Sequence, residues 1–104
     1  MSNNIKRTSE IKIKVGLDKD NVPTVLEWQS TDNPSGNTPQ ECKAMLLALF
    51  DKENLDTLKI DLWTKEMQVI EMDRFFYQAL RGMAETYFRA TQNKELATDM
   101  QKFI

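Results

Sequence analysis

The chain has 104 residues, enough for one domain with a single core but not for a deep catalytic cleft as well. Hydrophobic residues are 40% of it and charged residues 29%, the balance of a folded globular protein, and a net charge of −2 leaves no positive excess to neutralise phosphates, which argues against nucleic acid as a partner. Histidine is absent, which removes the commonest metal ligand and the usual general base near neutral pH, and the lone Cys42 permits no intrachain disulfide and suits a reducing compartment.

Residues 1–8 are polar and are expected to fray. They carry basic residues without an apolar run behind them, so no signal peptide is expected. The longest apolar run, AMLLALF at Ala44 to Phe50, is far too short to span a membrane. These readings predict a cytoplasmic protein that does not insert into membranes.

From Glu10 the pattern alternates, with Ile11, Ile13 and Val15 on one side and Lys12 and Lys14 on the other, which predicts a half-buried strand. Gly16 ends or bulges it, and Asp18-Lys19-Asp20-Asn21 supplies turn chemistry. A second strand follows over Thr24 to Gln29, with Leu26 and Trp28 inward, and Pro23 belongs at its start or on an edge. The two should form an antiparallel hairpin. Ser30 to Asn37 reads as a connecting loop.

Thr38-Pro39-Gln40-Glu41 resembles a capping box with proline at the first helical position, and Cys42, Met45, Leu46, Leu49 and Phe50 share a face at helical spacing. This predicts a first helix from Thr38 to about Lys52, with Cys42 as a small core residue on its buried stripe. Thr57 to Trp63 alternates again, Leu58, Ile60 and Leu62 against Lys59, Asp61 and Trp63, so a third strand is expected. Trp63 then either covers the far face of the sheet or stands exposed.

A long helix is expected from about Gln68 to Gln92. At 100° per residue Val69, Met72, Phe76, Ala79, Leu80, Met83, Tyr87 and Ala90 form one apolar arc. Ile70, Tyr77 and Phe88 line one shoulder of it, with Ala84 between them, and Phe75 lies on the other. The shoulder is explained by packing on the first helix, on the C-terminal segment or on a partner chain. Asn93 breaks the helix and caps a short amphipathic one over Lys94 to Phe103. The order β-β-α-β-α-α predicts an α+β fold: a single two-layer domain over residues 1–104, with a mainly antiparallel three-stranded sheet and helices on one face. So small a sheet leaves two edges, and a homodimer through edge pairing is one remedy.

No catalytic, cofactor-binding or metal-binding residue is assigned. Asp18-Lys19-Asp20-Asn21 resembles the start of a calcium loop, but its sixth and twelfth positions are Pro23 and Gln29 instead of Gly and Glu. Three glycines and no phosphate-loop motif exclude a nucleotide cradle. The residues singled out for a protein interface are Trp63, Ile70, Tyr77, Arg81 and Phe88. Tyr and Arg are enriched in such surfaces, and Tyr77 and Arg81 are one helical turn apart, although an Arg stem lying over a ring in solvent gives the same spacing.

Four blocks, TSEIKIKVGLD with the later Glu27-Trp28, PQECKAMLLALFDKE, DTLKIDLWTKEMQVIEMDRFFYQAL and ATQNKELATDM, together resemble the GldC family of gliding-motility proteins. The likeness runs from about Thr8 to Phe103, and family members are expected to continue a few residues past Ile104. It implies a small, non-enzymatic accessory protein of the gliding apparatus, working through contacts with other motility-associated proteins, and it brings no catalytic motif. The competing expectation is a small-ligand-binding domain or minor enzyme with a pocket between sheet and helices.

Overall fold

The structure is a computed structural model that describes residues 4–33 and 37–104. Residues 1–3 of the expected frayed end, and 34–36 of the expected loop, lie outside the described residues. The chain forms two compact units, residues 1–67 and 68–104.

In the first unit, β1 (Ile11–Leu17) and β2 (Pro23–Ser30) form the expected antiparallel hairpin. Side chains directly opposite each other share a face, so the register sorts the residues by chemistry. Ile13 lies opposite Trp28 and Val15 opposite Leu26, whereas Lys14 lies opposite Glu27 and Lys12 opposite Gln29. One face is therefore apolar and the other charged. The register shifts at Gly16–Leu17, where Gly16 lies close to β2: a Cβ placed on it would come 3.3 Å from Val25 Cβ. The Asp18 carboxylate builds the turn, its Oδ1 accepting from the backbone N–H of Asp20 (2.8 Å) and Val22 (3.0 Å). Asn21 adopts the left-handed conformation (φ 61°) that its short polar side chain tolerates.

The helix expected over Thr38 to Lys52 is not formed. The segment folds as β3 (Gln40–Cys42) and β4 (Ala44–Phe50), and the element order is β-β-β-β-β-α-α. An apolar run of this length fills a helical face and a doubly apolar strand equally well, and periodicity cannot separate them. Strand pairing decides here. β3 completes a three-stranded sheet of order β1-β2-β3, placing Cys42 opposite Leu26 and Gln40 opposite Trp28. Cys42 thus sits on a strand and is half-buried. Leu26, on the central strand between Val15 and Cys42, is 1% exposed and is the one large side chain fully buried among the described residues.

β4 pairs antiparallel with β5 (Thr57–Trp63), the strand expected at those residues, in a second, two-stranded sheet. The ladder runs one step further, with the Thr64 N–H donating to the Lys43 carbonyl (2.9 Å). The turn again uses an aspartate: Asp51 Oδ2 accepts from the N–H of Glu53 (3.1 Å) and Asn54 (2.7 Å). Here the left-handed residue is Leu55 (φ 58°).

The second unit is a pair of helices, α1 (Val69–Thr91), one residue shorter at each end than expected, and α2 (Lys94–Phe103), at its expected bounds. At the start of α1 the Gln68 N–H donates to Glu71 Oε1 (3.0 Å), satisfying one of the donors that a helix start leaves open. At its end Gln92 turns left-handed (φ 61°) and its N–H donates to the Phe88 carbonyl (2.8 Å). Asn93 then caps α2, its Oδ1 accepting from Leu96 N–H (3.1 Å). The α+β class and the presence of a three-stranded antiparallel sheet agree with the sequence reading; its third strand is β3 instead of Thr57–Trp63, which pairs with β4, and the first helix is not formed.

Candidate interaction surface

The five residues singled out from the sequence fall in both units. Trp63 closes β5 and is 56% exposed. Its face is the one opposite Leu58, Ile60 and Leu62, shared with Lys59 and Asp61, which pair at 3.0 Å. The other four lie on α1, where positions 70, 77, 81 and 88 fall on one stripe at helical spacing.

The two ends of that stripe differ. Towards the C-terminus it meets α2. Ala84 is fully buried, and together with Phe88 and Ala97 it lines an open notch of about 230 Å³ between the two helices, with Glu85, Lys94 and Gln101 also in its wall. Alanine on both helices lets the backbones approach, so α2 takes up this end of the stripe. Towards the N-terminus Ile70 is 73% exposed and Tyr77 47%. The Arg81 guanidinium lies over the Tyr77 ring, 5.7 Å from its centroid, a cation–π arrangement that holds both side chains in place. On the far shoulder Phe75 packs edge-on against Phe76, centroids 6.1 Å apart.

Among the described residues no group of three or more His, Cys, Asp or Glu is placed to hold a metal ion. Two carboxylates, Asp18 and Asp32, are held below the usual carboxylate range, and both are engaged in contacts within the fold. Asp18 is lowered to about 2, first by its hydrogen-bonded ion pair with Lys65, then by the N–H groups it accepts. Its oxygens are therefore committed where the calcium-loop resemblance would need them open. Asp32 is lowered by the Ser9 hydroxyl and by Arg7 at 2.9 Å, and it ties the segment before β1 to the turn after β2. The notch between the helices is smaller than the roughly 300–1,000 Å³ of ordinary ligand pockets. No helix is long and apolar enough to cross a membrane among the described residues.

Sequence reasoning missed a second exposed surface. On the β4–β5 hairpin Leu46, Leu49, Phe50, Leu58 and Ile60 are 38–68% exposed. The signal was the unbroken run AMLLALF, assigned to a helical core stripe instead of a strand. Among known proteins, a family model described as "Gliding motility-associated protein GldC-like" matches residues 23–104, which is 82 of the 104 residues. No curated protein and no solved structure matches the chain.

Proposed function

Because the chain belongs to the GldC-like family of gliding-motility-associated proteins, we propose that it is a non-enzymatic accessory component of the gliding apparatus that works by docking other motility-associated proteins. The observation that carries this is the N-terminal part of the α1 stripe. Ile70 and Tyr77 stay exposed with Arg81 stacked on the ring, whereas Ala84, on the same stripe, is buried. Tyr and Arg are enriched among the residues that carry interface energy, and a side chain already resting on its neighbour loses less freedom on binding. The missing histidine and the commitment of Asp18 to its turn and of Asp32 to Ser9 and Arg7 favour contact over catalysis. The single cysteine favours a cytoplasmic setting.

The test is affinity capture from the native cell with the wild type, Tyr77→Asp and Ile70→Lys, read by mass spectrometry beside circular dichroism of each purified chain. Both variants should keep wild-type helicity and lose a gliding-motility component that the wild type retains. Equal capture by all three, or unfolding of both variants, removes the stripe as the docking surface.

A further inference from the structure

Four strands border the two sheets, and three of them carry charge. β1 has Lys12 and Lys14, β3 has Glu41, and β5 has Lys59 and Asp61. Charged side chains on an edge strand discourage pairing with another chain. β4, Ala-Met-Leu-Leu-Ala-Leu-Phe, has none over its seven residues, and no proline or glycine either. It is apolar on both faces: Met45, Leu47 and Leu49 on one, Ala44, Leu46, Ala48 and Phe50 on the other. That is the composition of a strand with a neighbour on each side, in a sheet covered on both faces. Within the chain, β4 is hydrogen-bonded to β5 alone among the described strands, and a lone two-stranded sheet is marginal in water.

We propose that the second neighbour is β4 of another copy, paired antiparallel about a two-fold axis at Leu47 to give a four-stranded sheet of order β5-β4-β4-β5. The strand's own sequence selects this occupant and this register. Pairing centred on Leu47 sets Ala44 opposite Phe50, Met45 opposite Leu49 and Leu46 opposite Ala48, so small residues meet large ones in two of the three pairs. It also sets Lys43, just before the strand, opposite Asp51 of the other copy, just after it, and the symmetry makes this contact twice. Full-length pairing of β1 is disfavoured by comparison: centred on its middle residue it opposes Lys14 to itself, and shifted to Ile13 it opposes Lys12 to Lys14.

A charge exchange tests the pairing in the full chain. By light scattering after size exclusion the wild type should have twice the chain mass. Lys43→Glu sets two carboxylates against each other at both ends of the interface, and Asp51→Lys sets two ammonium groups against each other there. Each variant alone should self-associate about tenfold more weakly. Mixed one to one, the two variants regain an opposite-charge contact at one end of a heterodimer and a reversed one at the other, and should recover the wild-type dimer mass. A wild type that stays monomeric at 100-fold dilution and at full concentration alike overturns the proposal, and so does a mixture no tighter than its components.

Because Asp51 also builds the turn and Lys43 has a contact of its own within the chain, a second measurement stands apart from both. In a Cys42→Ser background, Leu47→Cys should oxidise to a disulfide-linked dimer, since directly opposed residues of antiparallel strands have Cα atoms about 4.5–5.5 Å apart, within disulfide reach. Ile60→Cys, one strand further from the axis, should not. Equal cross-linking at the two positions, or capture of a different protein on β4 with no self-association, overturns the proposal and assigns the edge to another occupant.

Discussion

The β1–β2 and β4–β5 hairpins both reverse the chain around an aspartate whose carboxylate gathers backbone N–H groups, yet they differ along their strands. The first separates its faces, setting Ile13, Val15, Leu26 and Trp28 on one side and Lys12, Lys14 and Glu27 on the other. Leu26 at its centre is buried because β3 adds a third strand beside β2. The second has large apolar residues on both faces and no third strand, and burial fades towards its tip: Leu62 is half-buried, Ile60 is 38% exposed and Leu58 is 58% exposed. Alternation gives a hairpin one apolar side and one wet side, and in the first hairpin the apolar side is covered at Leu26 on β2 while Ile13 and Val15 on β1 are each 38% exposed. Loss of alternation leaves apolar surface that the hairpin cannot bury alone.

The sharpest way to break this contrast is to truncate one leucine in each hairpin. Leu26→Ala should lower stability by about 2–5 kcal/mol in urea denaturation, because it empties a fully enclosed site. Leu58→Ala should cost under about 1 kcal/mol in the same titration, since more than half of that side chain is already in water. Equal losses would mean that the two hairpins are equally consolidated. A smaller effect is expected at the turns. Leu55 occupies a left-handed conformation that costs a branched side chain about 1–2 kcal/mol, and it is 64% exposed, so little packing is lost on changing it. Leu55→Asn should raise stability by about 0.5–1 kcal/mol, matching the second turn to the first, where Asn21 already holds that position.

The smallest effect is confined to acid. Asp18 titrates near 2 in the folded chain, below its ordinary 3.8. Its contribution is therefore fully present above the unfolded value and is lost as pH falls through the folded one. Asp18→Asn cannot ionise. Between pH 5 and pH 2 its urea midpoint should fall less steeply than that of the wild type, and identical slopes would show that the Lys65 pair does not couple to folding.

How far the sequence could be read follows the same contrast. Where polar and apolar residues alternate, as in β1, β2 and β5, period two identified the strands, and Gln68, Gln92 and Asn93 marked the ends of the two helices. Thr38 to Lys52 failed because Met45, Leu46, Leu49 and Phe50 satisfy helical spacing only by belonging to a run with no polar residue to contradict it. The same error hid the apolar hairpin surface and placed Cys42 on a helix. The α1 stripe was legible as a geometric surplus, but its division was not. That Ala84 and Phe88 meet α2 while Ile70 and Tyr77 do not depends on where the Gln92–Asn93 elbow turns the chain back, a tertiary fact that spacing along one helix does not contain.

Cys42 gives the protein a built-in probe of one sheet edge. It is the chain's only thiol, it lies opposite Leu26 at the centre of the three-stranded sheet, and burial pushes its pKa above the usual range. Half-buried on an edge strand and with little of it thiolate at neutral pH, it should react more slowly with a thiol reagent than the same thiol in the unfolded chain. The ratio of the two labelling rates therefore measures how well β3 shields its inner side, with no dye or engineered site needed.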